Sequence, residues 1–160
     1  MIQEILKILE NDARTTIKQI SAMTGTPSAE VARLIKQAEK EGTILKYKTV
    51  INWEKVGKEQ VWALIEVKVT PQRDVGFDSI AERIYRFPQV RTAYLVSGTY
   101  DLLVLVVGKN MNEVADFVSQ KLAPIESVQG TVTHFVLKRY KEDGEILQGK
   151  EEIRRQPVVL

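Results

Sequence analysis

The stretch TIKQISAMTGTPSAEVARLIKQAEKEGTILKY, residues 16–47, limits what this chain can fold into more than any other. Thr16 and Gln19 have the T-x-x-Q spacing of a capping box, in which hydroxyl and side-chain amide each satisfy a backbone N–H left open where a helix starts. Ile17, Ile20, Ser21 and Met23 follow at helical spacing, and Gly25 suits a tight turn out of that helix. Thr26-Pro27 restarts a helix, with the proline near the first position, where its missing N–H costs nothing. Val31, Leu34, Ile35 and Ala38 then form one apolar stripe, with Arg33, Lys36 and Lys40 off it. Gly42 ends this helix, and TILKYKTVI alternates as a strand does. Ahead of the stretch, Ile2, Ile5, Leu6, Ile8 and Leu9 predict an amphipathic helix that covers the other two and stops at Asn11-Asp12. Two short helices joined at a glycine and followed by a β-wing describe a winged helix-turn-helix. Its second helix is built to enter the major groove of double-stranded DNA.

The remainder reads as a second domain. NWEKVGKEQ, residues 52–60, is polar and is expected to be a linker, with Trp53 packed on a neighbouring domain. Val61 to Val69 alternates as a strand and is stopped by Pro71. Phe77, Ile80, Ala81, Ile84 and Tyr85 have helical spacing and end before Pro88. Val90 to Ser97 and Leu102 to Val107 are strands around a turn at Gly98-Thr99-Tyr100-Asp101. Asn110 caps a helix carrying Met111, Val114, Ala115, Phe117, Val118 and Leu122, and Val128 to Lys138 is the last strand. The order β-α-β-β-α-β specifies a ferredoxin-like sandwich, with both helices on one face of a four-stranded antiparallel sheet. The third strand, LLVLVV, is apolar on both faces. A sheet covered on one side should alternate there, so a second layer is expected on the open face, most simply the same sheet from another copy about a two-fold axis. The fold class is therefore α+β: a winged helix-turn-helix in residues 1–51, the linker 52–60, a ferredoxin-like dimerisation domain in 61–138, which the resemblance described next makes an effector domain as well, and a tail in 139–160. The tail is balanced in charge and interrupted by Gly144 and Gly149, and it reads either as a frayed end or as an arm on a partner subunit.

The runs ILKILENDARTTIKQISAMTG and EVARLIKQAEKEGTILKYKTVIN carry a family resemblance. Asp12-Ala13-Arg14, Gly25, Val31, Ile35, Gly42, Ile44, Tyr47 and Asn52 stand at the spacing of the N-terminal half of the Lrp/AsnC (leucine-responsive and asparagine-responsive, feast/famine) regulators. The resemblance extends over roughly residues 1–140. It implies a transcriptional regulator with a RAM/ACT-like effector domain, dimers that assemble into tetramers or octamers, and an amino-acid effector. Gly98-Thr99-Tyr100-Asp101 resembles the family's G-D-Y-D segment, with Thr99 in place of the first Asp. That segment lines an amino-acid pocket, where an acid meets the ligand ammonium and turn N–H groups meet its carboxylate. By the same resemblance Thr131, Thr133 and His134 lie where the last strand approaches this pocket. The family usually has Ala at Ser21, Ser at Pro27 and Arg at Leu34.

On the reading helix, Ser28, Ala29, Glu30, Arg33 and Lys36 are the candidates for base and phosphate contact. Thr16 and Lys18, at the start of the preceding helix, suit phosphate, and Lys46 and Lys48 on the wing suit the DNA backbone. From Val31 to Val50 five basic residues face two acidic ones, so the small net charge of +2 is concentrated on this half. One histidine and no cysteine exclude disulfides, thiolate metal sites and most catalytic triads, and no phosphate-loop or nucleophile-elbow motif is present. No catalytic residue, metal or cofactor is therefore expected, beyond an amino-acid effector. No apolar run approaches the roughly 20 residues of a membrane span, and the N-terminus lacks a signal-peptide layout, so a cytoplasmic protein with no membrane partner is expected. The competing reading is a metabolite-sensing or protein-interaction module that does not bind DNA. A ferredoxin-like enzyme would need a buried, pKa-shifted group, and the sequence offers no candidate.

Overall fold

The computed structural model describes residues 1–71 and 76–147. The chain divides into two compact units, Met1–Ile51 and the part from Asn52 onward.

The first unit contains three helices, α1 (Ile2–Asn11), α2 (Ile17–Thr24) and α3 (Ser28–Lys40). Their local signals are satisfied in full. The Thr16 hydroxyl accepts from Gln19 N–H at 3.3 Å, and the Gln19 side chain accepts from Thr16 N–H at 2.8 Å, closing the capping box. Gly25 takes φ +67, a left-handed conformation that a side chain would strain. Ser21 Oγ donates to the Thr26 carbonyl at 2.6 Å, and Thr24 Oγ1 donates to the Ile20 carbonyl, so the bend between α2 and α3 is fixed by hydroxyls. That gives Ser21, where the resembled family usually has Ala, a structural task. Ile5, Ile20 and Val31 are fully buried at the junction of the helices, with Ile8, Leu9, Leu34 and Ile35 packed around them. Ile17 and Met23 follow the helical spacing but face solvent, at 41% and 63% exposure. On a helix of two turns, only Ile20 points fully at the other two helices.

The expected wing strand does not form within the single chain: residues 45–52 carry no strand. A strand exists only by hydrogen bonding to a neighbour, and the described residues of this unit contain no second one. The segment is held otherwise, by Tyr47 Oη donating to Glu39 Oε1 at 2.9 Å. Burial, followed by that bond to the Glu39 carboxylate, raises the Tyr47 pKa.

The second unit opens with a single 3-10 turn, Trp53–Val56, where the Lys58 ammonium lies 4.7 Å from the centre of the Trp53 ring. The expected β-α-β-β-α-β order follows: β1 (Val61–Val69), α4 (Asp78–Tyr85), β2 (Val90–Leu95), β3 (Leu102–Gly108), α5 (Met111–Phe117, continuing as a π-helical turn to Leu122) and β4 (Val128–Phe135). The second and fourth strands end two and three residues earlier than the sequence pattern suggests. The sheet order is β2-β3-β1-β4, all antiparallel. One sheet face, with Ala63, Ile65, Val67, Val104 and Val106, packs against Ile80 and Ile84 of α4 and Val114 and Phe117 of α5. The other face carries Trp62, Leu64, Leu103, Leu105, Val107 and Val132, all at least partly exposed.

The tail reading needs correction. Residues 141–146 form a hairpin of β5 (Lys141–Glu142) and β6 (Glu145–Ile146), turning through Asp143 and Gly144, both at positive φ. Leu147 is buried, its carbonyl accepts from Asn52 Nδ2 at 2.7 Å, and its N–H donates to the Tyr140 carbonyl. The Arg139 guanidinium stacks 4.4 Å from the centre of the Trp62 ring. The start of the proposed tail is thus tied to its own domain. The expected arm on a partner falls mainly on residues 148–160, outside the described residues.

Candidate functional site

Two places collect the residues singled out in the sequence, one in each unit. In the first, α3 turns Val31 and Ala38 inward and leaves Ser28, Ala29, Arg33 and Lys36 exposed, with Glu30 half-exposed beside them. Lys18, Lys46 and Lys48 are exposed as well, the last two on the irregular segment rather than on a strand. Thr16 is exposed, but its hydroxyl serves the capping box, donating to Gln19 Oε1 at 2.8 Å, so it is not a free phosphate donor. The sequence reading missed Gln37 and Glu41. Arg33 binds Glu30 through two nitrogens, at 2.7 and 2.8 Å, and Gln37 through the third at 3.2 Å, and Gln37 donates onward to Glu41. The i, i+3 and i, i+4 spacings that signal such contacts were there to be read. The Arg33 hydrogen bonds hold the Glu30 carboxyl below its ordinary pKa.

In the second unit the turn 98–101 is pinned to β1. Gly98 takes φ +133, the Asp101 carbonyl accepts from Val96 N–H, and Asp101 N–H donates to the Val67 carbonyl. The Asp101 carboxylate accepts from Val69 N–H at 3.0 Å and lies 3.2 Å from the Lys68 ammonium. The Val69 N–H bond is the largest reason that the Asp101 pKa is lowered, with the Lys68 contact adding to it against partial burial. The acceptor expected to receive a ligand ammonium is thus engaged by its own chain. The Tyr100 hydroxyl turns to the Glu66 carboxylate, and burial together with that contact raises its pKa. His134 Nε2 lies 3.6 Å from the same Glu66. Glu66, Tyr100 and His134 therefore meet, and the sequence reading named only the last two.

Strand register separates the remaining candidates. Thr131 and Thr133 pair with Val67 and Ile65, so they lie on the helix-covered side of the sheet, whereas His134 pairs with Leu64 on the open side. The expected grouping of Thr131 and Thr133 with His134 in one pocket is corrected by this alternation. Two shallow grooves of about 460 and 320 Å³ run along α5 and the start of β2, sharing Gln89 and Glu113, and none of the expected effector residues lines either. Among the described residues no group of three or more His, Asp or Glu is placed to hold a metal ion. None of the described helices is long and apolar enough to cross a membrane.

Asp101 yields a test. Its folded pKa is depressed, so the stability it contributes is present above the unfolded value, about 3.9 for an aspartate, and is lost as pH falls through the folded value. Thermal melts of the wild type should therefore fall steeply below about pH 4, and Asp101→Asn should start lower at neutral pH and change less over that range. Parallel curves for the two proteins would remove the role of this carboxylate in holding the turn.

The sequence model for the Lrp/AsnC ligand binding domain matches residues 62–146, and that for a winged helix-turn-helix DNA-binding domain matches residues 2–44. The chain is 49% identical over 153 residues to the uncharacterized HTH-type transcriptional regulator YugG of Bacillus subtilis, covering 95% of this chain and 92% of that one. It is 31% identical over 144 residues to the HTH-type transcriptional regulator FL11 of Pyrococcus furiosus, covering 90% and 92%. Among solved structures it is similar to the transcriptional regulator NMB0573 of Neisseria meningitidis in complex with L-Met, with a TM-score of 0.70 and 26% identity over 88% of this chain and 90% of that one.

Proposed function

The chain belongs to the Lrp/AsnC family of DNA-binding transcriptional regulators, and from that premise we propose that α3 reads operator DNA while the sheet domain pairs two copies and senses an amino acid. The observation that carries this reading is the exposed row Ser28, Ala29, Arg33 and Lys36 on a helix whose entry is fixed by the hydroxyl bonds Ser21–Thr26 and Thr24–Ile20 at the bend before it. A helix locked at its base and exposed along its outer side is what a major groove receives. Two such helices in a dimer meet half-sites about one helical turn apart, about 34–36 Å. Lys18, Lys46 and Lys48 supply phosphate contacts at the rim.

The second copy packs on the open sheet face, where Leu103, Leu105 and Val107 stand beside Leu64 and Val132. Tetramers or octamers of such dimers follow from the family. The effector is an amino acid, in line with the relative that is described with L-Met. Its carboxylate is received by N–H groups of the turn Gly98-Thr99-Tyr100, and Glu66, where Tyr100 and His134 meet, is the acid that faces its ammonium while Asp101 holds the turn. By preferring one arrangement of the subunits, the ligand shifts their population and so changes DNA binding. The protein works in the cytoplasm, as a regulator rather than an enzyme, and needs no metal or other cofactor.

Arg33→Ala combined with Lys36→Ala tests the reading half. The affinity for the protein's own upstream DNA should fall more than about tenfold, and the salt dependence should flatten by about one unit of slope for each phosphate the variant no longer neutralises. A gel-shift titration that is unchanged across salt would overturn the assignment of α3. Wild-type protein that leaves the same DNA unretarded at physiological salt would return the chain to a metabolite-sensing or protein-interaction module.

A further inference from the structure

Arg33 is exposed, yet its guanidinium is not free to turn. Nε and one terminal nitrogen donate to the two oxygens of Glu30 at 2.8 and 2.7 Å, and the other terminal nitrogen donates to Gln37 Oε1 at 3.2 Å. Gln37 is itself held by Glu41 at 2.8 Å. Residues 30, 33, 37 and 41 thus form a continuous ladder along the outer side of α3. Exposed ion pairs one turn apart add little to the stability of a helix, so stability is a poor account of a group fixed by three bonds. Orientation is a better one. A guanidinium carries five N–H groups in a rigid plane, and the ladder consumes three. The remaining two are one on each terminal nitrogen, the pair a guanidinium can present end-on. That pair matches the O6 and N7 acceptors of guanine.

The geometry points to Glu30 as a positioning residue for sequence specificity: together with Gln37 it presents the remaining pair of Arg33 N–H groups to a guanine in each half-site. This rests on α3 being the DNA-reading helix, as proposed above. Glu30 also discourages the wrong contacts. The pair has no net charge, so Arg33 gains little from an arbitrary phosphate, and the carboxylate is repelled by the backbone unless a base holds the fork in place. Removing the acid should therefore strengthen indiscriminate binding while weakening the preference for one base pair. A residue that merely stabilised the helix would do neither.

The test is selection of bound duplexes from a random pool by the wild type, Glu30→Gln and Arg33→Lys, followed by titration of the selected and scrambled duplexes across salt. The wild type should select a guanine at one position in each half-site. Arg33→Lys keeps the charge but not the fork, and should erase that preference alone, with about a ten- to hundredfold drop in affinity for the selected duplex. Glu30→Gln should bind scrambled DNA more tightly, with a salt slope steeper by about one, and discriminate at that position about tenfold less. Arg33 is exposed and Glu30 half-exposed, and neither enters the helical core, so melting curves should match the wild type and exclude misfolding. A wild-type selection without a fixed guanine, or a Glu30→Gln protein with undiminished discrimination, would overturn the proposal while leaving α3 as the DNA-binding helix. Failure of the wild type to retain any duplex would overturn that underlying reading too.

Discussion

Leu105→Glu is expected to convert the protein from a dimer to a monomer at micromolar concentration while its sheet domain stays folded. In register, Leu105 stands between Leu64 of β1 and Thr92 of β2, at the middle of the open face. Leu64 and Val132 on this face are 37% and 40% exposed, and Tyr94 beside Leu103 is 59% exposed. The domain's own core uses the alternate residues Leu102, Val104 and Val106, so a charge at Leu105 does not enter it. About a two-fold axis, each substituted chain brings its own carboxylate into the same dry patch, and each unpaired buried ion costs several kcal/mol. At about 1.4 kcal/mol per factor of ten, the dissociation constant should rise by more than about a thousandfold. Leu105→Ala removes area without adding charge and should weaken the dimer far less. Light scattering decides: a wild type with a monomeric mass, or a Leu105→Glu protein as dimeric as its parent, would refute packing through this face.

The features legible in the sequence are those whose partners are close along the chain. The capping box needs only Thr16 and Gln19, the Asn110 cap needs only Glu113, and the strand and helix periods repeat within a few residues. The apolarity of LLVLVV announced a two-faced strand, and in the single chain Leu103, Leu105 and Val107 stay partly exposed opposite the core. What escaped depends on distant partners. The segment after Gly42 alternates like a strand, but alternation cannot supply the neighbour that makes one. The turn-holding bond of Asp101 could not be read, because its Val69 N–H partner is 32 positions away and belongs to the backbone, which has no sequence signature. Glu66 escaped for the same reason, being brought to Tyr100 and His134 only by sheet pairing. Two misses had a signal. Strict alternation already separates Thr131 and Thr133 from His134, and Asp143-Gly144 is a two-residue hairpin sequence, masked by charged rather than apolar flanks.

Ile20→Ala is expected to unfold the first unit and leave the second intact. Ile20 is fully buried and forms, with Ile5 and Val31, the fully buried cluster on which three short helices converge. Truncating such a residue costs about 2–5 kcal/mol. A unit of about fifty residues has about 3–8 kcal/mol of stability on the usual scale per residue. The substitution therefore removes most of the stability of the unit, and DNA binding should disappear with it. The second unit has its own core around Ile65, Val104 and Phe117, and should keep its dimeric mass. The two tryptophans, Trp53 and Trp62, both belong to that second unit, so their fluorescence follows it alone, whereas far-UV ellipticity follows both units. In a urea titration of Ile20→Ala, ellipticity should be partly absent before any urea is added, while the tryptophan transition stays at its wild-type midpoint. Ile17→Ala, on the same helix but at an exposed position, should change neither curve by more than about 0.5 kcal/mol. If ellipticity and fluorescence instead moved together, the two units would share one folding transition, and the small helical cluster would not be what holds α3 in place.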